Sequence, residues 1–171
     1  SPHQDIISDR LACLFALRHR ATDSGPVVLV IPVQTLLERL PPVSYLDGHA
    51  LDLAVKDRFD MHTARRRLEG AGYQATETVA SRGEFAVRGA LMDIFPMGAA
   101  APIRIDLFDA EIESLRTFDP ETQRTLERID AIRLLPAREF PFDDAAISRF
   151  RDRWHNTFNV DVRRCRMYQD V

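Results

Sequence analysis

Lysine is almost missing from this chain, Lys56 being its one instance, and the seven glycines form no cluster. A phosphate-binding loop needs a glycine-rich turn ending in lysine and serine or threonine, because backbone amides and the ammonium group hold the phosphates. Nothing here has that form, so no ATPase site and no nucleotide cofactor is expected. Cysteine is equally scarce. Cys13 and Cys165 lie near opposite ends, match no metal-ligand spacing and define no disulfide framework; a reducing, cytoplasmic setting is the simplest reading. The five histidines are scattered, and no nucleophile–base arrangement is legible, so no catalytic residue is named. No apolar run approaches the roughly 18–20 residues of a membrane span, and the N-terminus lacks the layout of a secretory signal. Neither a membrane nor a secretory route is expected.

The composition that remains is that of an ordinary globular protein, 45% hydrophobic and 29% charged. A length of 171 residues allows one domain or two small ones. The net charge of -3 argues against a dedicated nucleic-acid module. Local basic clusters, Arg65-Arg66-Arg67 and Arg163-Arg164 with Arg166, read as solvated faces because acidic residues lie close by. A carboxylate concentration at Asp106, Asp109, Glu111, Glu113, Asp119 and Glu121 has the donors for Mg²⁺ or Ca²⁺. A charged hairpin edge that discourages strand association is the better reading, and no metal site is assigned. The chain starts in helix-like sequence, stops at Asp170-Val171, and reads as a piece of something longer.

Apolar positions Ile7, Leu11, Leu14 and Phe15 predict an amphipathic helix over 5–20. Gly25-Pro26 breaks it, and Val27–Ile31 follows as an unbroken apolar run suited to a strand buried on both faces. Another helix is expected over Val33–Leu40, stopped by Pro41-Pro42. Near the C-terminus, Asp143 caps a helix carrying Ile147, Phe150, Trp154 and Phe158 on one face. The middle differs. One helix, Met61–Gly70, is closed by Gly70 or Gly72. It sits among expected strands at Ala50–Val55, Glu77–Ala80, Glu84–Arg88, Leu91–Phe95, Ile103–Phe108, Ile112–Phe118 and Ile129–Leu134. The fold class expected is α/β plus α+β. A mostly antiparallel domain with one main helix (47–136) is inserted into a partial α/β domain made of 1–46 and 137–171.

Alternation then sorts the strand Ile103–Phe108 onto two faces. Ile103, Ile105 and Leu107 make a core stripe, while Arg104, Asp106 and Phe108 point outward. A half-buried strand needs no phenylalanine on its wet side. An exposed aromatic beside arginine is typical of binding hot spots. Arg88 closes the preceding strand beside Gly89, where a bulge or sharp bend is expected, and joins the stripe if the strands are neighbours. With a two-residue loop at Asp109-Ala110, Leu107 faces Ile112, Phe108 faces Glu111 and Asp106 faces Glu113. The competing reading has Arg88 and Arg104 paired with Asp106, Glu111 or Glu113 and a helix covering Phe108.

The run Gly83–Pro96, the strand Arg104–Phe108, Glu111–Arg116, Phe118–Arg124 and the stretch Leu134–Pro141 resemble the UvrB-like N-terminal modules of bacterial transcription-repair coupling factors, the Mfd family. Ser1–Ser8 fits as well, so the resemblance spans nearly the whole chain. It implies part of a large ATP-dependent DNA translocase that removes stalled RNA polymerase and recruits excision repair. The middle domain is then a non-enzymatic UvrA-binding module within a degenerate, helicase-like (RecA-like) α/β fold. The family's UvrA contacts map onto Arg88, Arg104 and Phe108, with Asp106, Glu111 and Glu113 in support. A C-terminal domain elsewhere in the parent masks this surface, and other domains engage RNA polymerase and DNA. Two departures from the family pattern, Gly89-Ala90 for Gly-Gly and Asp109-Ala110 for a Gly-acidic turn, bear on hairpin geometry. The alternatives are a fragment of the damage-verification helicase UvrB and a direct DNA-binding module working through Arg65, Arg66 and Arg67.

Overall fold

The strand that alternates most cleanly lies in the middle of the main sheet. In the computed structural model, which describes residues 3–21, 25–158 and 161–169, eight strands form two sheets. The larger has the order β2 (Gln74–Ala75), β3 (Glu84–Arg88), β4 (Leu91–Ile94), β5 (Ile103–Phe108), β6 (Glu111–Phe118), β7 (Thr125–Ile129). Its pairs are antiparallel except β2–β3. The smaller pairs β1 (Leu51–Ala54) with β8 (Ala131–Leu134), antiparallel from Leu51↔Leu134 to Ala54↔Ala131. The helices are α1 (Gln4–Arg18), α2 (Val33–Leu36), α3 (Val43–His49), α4 (Met61–Gly70), α5 (Asp144–Thr157) and α6 (Arg166–Gln169), with a 3-10 turn at Val162–Arg164.

The core grows from one face of the main sheet. Phe85, Met92, Ile94, Ile103, Ile105, Ile112 and Leu115 are buried there in one apolar cluster with Ala64 and Leu68 of α4. α4 begins where Asp60 accepts the Thr63 N–H at 2.7 Å. It ends in a Schellman-type turn, in which Gly72 N–H donates to Glu69 and Tyr73 N–H to Leu68. Gly72 sits at φ 93° there, so it is the stop, and Gly70 is the last helical residue. Leu11 and Phe15 of α1 belong to the same cluster. The N-terminal helix is therefore not set apart from the middle of the chain by a core of its own. Tyr73 is buried against both; its hydroxyl donates to the Leu135 carbonyl at 2.7 Å and accepts the Met97 N–H at 3.1 Å.

Residues 1–140 and 141–171 form two compact units. In the second, Asp143 caps α5 by accepting the Ala146 N–H at 2.7 Å. The rings of Phe150, Phe158 and Tyr168 gather round Trp154 at 4.5–5.5 Å between centroids.

Several expected elements are not formed as read. Val27–Ile31 is not a strand: it pairs with no other strand among the described residues and lies largely exposed. Such a run needs hydrogen-bonded neighbours and cover on both faces, and no described segment supplies them. The helix expected over Val33–Leu40 is confined to Val33–Leu36. Glu77–Ala80 is irregular, and Gln74–Ala75 takes the edge position beside β3. The run Ile129–Leu134 divides at Asp130: Ile129 pairs with Leu115 in one sheet, while Leu134 pairs with Leu51 in the other. One apolar run thus serves two sheets, which periodicity alone does not reveal.

Candidate protein-docking face

Register decides which side chains share the face opposite the core. Arg88 pairs with Leu91, Ala86 with Asp93, Asp93 with Arg104, Leu91 with Asp106, Arg104 with Arg116 and Asp106 with Ser114. Directly paired residues point the same way, so Arg88, Asp93, Arg104 and Asp106 lie together. Phe108 follows two residues on along β5. The outward stripe read from alternation therefore exists, and three strands contribute to it.

Two tight turns shape its ends. Gly89 takes φ 61° at the first central position of the β3–β4 turn, where glycine meets no steric penalty. The bend expected beside Arg88 is this turn, not a bulge. Asp109 takes φ 55° in the β5–β6 turn, a left-handed conformation that aspartate tolerates better than most side chains. Leu107 then faces Ile112 and Phe108 faces Glu111, as read from the sequence. Asp106 faces Ser114 instead of Glu113, because a register shift after Asp106 inserts one extra residue on β6. Ile112 and Leu115 both reach the core although three positions apart, which an unbulged strand would forbid.

Phe108 is 69% exposed, and no helix among the described residues covers it. It forms one wall of a hollow of about 420 Å³ shared with Arg58, Asp109, Ala110, Glu111 and Glu113. Both arginines turn inward to a residue the sequence reading passed over. Asp93 is 2% exposed. Its Oδ1 accepts from Arg104 Nε at 2.7 Å, and its Oδ2 accepts from Arg104 Nη2 at 2.9 Å and Arg88 Nη2 at 2.8 Å. The hydrogen bond to Asp93 holds the Arg104 guanidinium more firmly charged than an ordinary arginine, against the opposing effect of its burial. Arg104 also lies over the Phe118 ring at 4.9 Å. Phe118 belongs to a small buried cluster with Val79, Ala86 and Phe95. The two cations differ in access: the Arg88 side chain is 53% exposed and that of Arg104 is 19%.

The competing ion-pair partners are accordingly displaced. Asp106 accepts from Ser114 Oγ and pairs with Arg116 Nη2, both at 2.8 Å, and so is taken up within the sheet. Glu111 and Glu113 are exposed beside Phe108. Arg65 pairs with Glu69 at 2.9 Å along α4. Among the described residues, no group of three or more His, Cys, Asp or Glu is placed to hold a metal ion. No helix among them is long and apolar enough to cross a membrane. Sequence reasoning missed Asp93, Phe118 and Arg58. For Asp93 the signal was present: a lone acid between Met92 and Ile94 shares its parity with Leu91, not with the core residues. A carboxylate in a buried strand requires cations from neighbouring strands.

The residues bearing this face fall within a known family. A family model described as the UvrB interaction domain matches residues 51–140, and the chain belongs to that family. Along its length it is similar to the transcription-repair-coupling factor of Escherichia coli (strain K12), 50% identical over 171 residues, which is 100% of this chain and 14% of that protein. The transcription-repair-coupling factor of Haemophilus influenzae (strain Rd) is 49% identical over 164 residues, 96% of this chain and 14% of that protein. That of Bacillus subtilis (strain 168) is 33% identical over 121 residues, 71% of this chain and 10% of that protein. The chain thus spans between 10% and 14% of the length of these curated relatives.

Proposed function

We propose that this chain is a non-enzymatic docking module of a transcription-repair coupling factor, and that it recruits the excision-repair protein UvrA to stalled RNA polymerase. Arg88, Arg104 and Phe108 carry the contact. The observation behind this reading is an exposed phenylalanine on the same sheet face as two arginines locked around one buried aspartate. Guanidinium groups with N–H to spare suit charge-assisted bonds to carboxylates, and an exposed ring supplies an apolar anchor. Membership of the UvrB interaction domain family and the names of the relatives support the same reading.

In this reading residues 47–136 are the UvrA-binding part, and 1–46 with 137–171 belong to a degenerate helicase-like α/β domain. RNA polymerase and DNA are engaged by other domains of a cytoplasmic parent translocase, whose C-terminal domain masks the docking face.

The test is a titration of UvrA with the wild-type chain and with Arg88→Ala, Arg104→Ala and Phe108→Ala. Each truncation is expected to cost on the order of 2–4 kcal/mol of binding. Unchanged affinity in all three, with each variant still folded, would remove the assignment. DNA binding through Arg65, Arg66 and Arg67 predicts instead an affinity for duplex DNA that falls steeply and continuously with salt.

A further inference from the structure

We propose that Asp93 is the positioning residue of this face, a buried carboxylate that fixes Arg88 and Arg104 in the arrangement a pair of acidic side chains would meet. The inference rests on the docking reading above and adds to it a residue that need not touch the partner. Burying an ionised carboxylate is costly unless it is paired. Arg104 alone supplies two bonds, one to each oxygen, and already satisfies that demand. Arg88 nevertheless reaches the same carboxylate from the end of β3, next to the Gly89 turn. Of its five N–H groups it donates one to Asp93, leaving four for other acceptors. Arg104 donates two to Asp93 and lies over Phe118, which limits its freedom further.

The trio carries one net positive charge. Two like charges are held side by side because the aspartate between them offsets their repulsion. Unrestrained arginines would have to be ordered when the partner arrives, at the expense of affinity. Arg88 is the more exposed cation and makes the larger share of direct contact. Arg104 is largely enclosed and acts in part through the geometry it shares with Asp93. The matching partner surface is a pair of carboxylates beside an apolar recess for Phe108.

The experiment is a binding cycle with UvrA as probe, using the wild-type chain, Asp93→Asn, the Arg88→Ala/Arg104→Ala double variant, and all three changes together. Asparagine keeps the shape but not the charge. Asp93→Asn alone is expected to weaken binding roughly ten- to a hundredfold. On the double-alanine background it should change affinity by less than about twofold, since its effect passes through the arginines. Equal losses in both backgrounds would show a merely structural role and overturn the proposal. Wild-type affinity for Asp93→Asn beside a weakened double variant would overturn it while sparing the docking reading. Wild-type affinity for the double variant would overturn both. A ¹⁵N guanidinium spectrum of the wild-type chain gives an answer even if Asp93→Asn fails to fold. Slow rotation of both side chains supports the proposal, and free averaging of both contradicts it.

Discussion

The main sheet and the stretch from Val27 to Leu40 are both rich in aliphatic residues, yet only the sheet buries them. In β5 the aliphatic positions alternate with polar ones, and both neighbouring strands follow or precede within a short distance of chain. Each strand arrives with its partners. Val27–Ile31 has no such local complement: Val28 is 87% exposed, and Leu37 and Leu40 are exposed as well. Apolar content marks a segment for burial, while the supply of hydrogen-bonding neighbours decides whether burial occurs.

The largest effect that sharpens this contrast belongs to the core side of β5. Ile105→Ala empties a fully buried position and is expected to cost about 3–4 kcal/mol in denaturant unfolding. Val28→Ala, an equally aliphatic truncation, should stay within about 0.5 kcal/mol. Comparable losses at the two sites would break the comparison. On the outward face, Arg104→Ala should cost about 2 kcal/mol by stripping a buried carboxylate of two bonds. Arg88→Ala and Phe108→Ala, at exposed positions, should each change stability by less than about 0.5 kcal/mol. Stability and binding then separate at Arg88 and Phe108 but not at Arg104.

Tyr73 ties the sheet to the segment following β8 and gives a pH signature. Burial raises its phenol above the ordinary tyrosine value, against the lowering effect of the Met97 N–H bond. The folded state therefore holds the proton more tightly than the unfolded chain. Its contribution is fully present below about pH 10 and is lost as pH rises beyond that. Tyr73→Phe should lower neutral-pH stability by about 1–2 kcal/mol, because the Leu135 carbonyl and Met97 N–H lose their partner. It should also remove this part of the alkaline decline, as read by melting temperature against pH. A smaller loss than at Tyr73 is expected at Gly72→Ala, about 1 kcal/mol. A Cβ there would lie 2.4 Å from Arg138 Cγ at a φ of 93°.

Much of the sheet was legible because its strands obey period two and the helix among them is closed by a glycine stop. Met61–Gly70, Glu84–Arg88 and Ile103–Phe108 are found with the bounds read from the sequence. β7 was not legible: Thr125–Glu127 is polar apart from an exposed Leu126, an edge strand without an apolar stripe. The extra residue on β6 escaped for a different reason. A bulge shifts parity midway, and Ile112 and Leu115 then look inconsistent with one strand until the register is seen. At the site, alternation placed Arg104 and Phe108 on the outward face, since parity is a local property; Arg88 joined them only on the condition that the strands are neighbours, which the pairing meets. It did not identify Asp93 as the carboxylate they surround. That depends on the pairing of β3, β4 and β5, which brings Arg88 and Arg104 to one carboxylate from distant positions in the sequence.

The most direct measurement is amide hydrogen exchange of this chain with and without UvrA. Slower exchange is expected in the solvent-facing turns Gly89-Ala90 and Asp109-Ala110, which flank Arg88 and Phe108, and no change across 25–40. Protection over 25–40 with both turns unaffected would contradict that expectation.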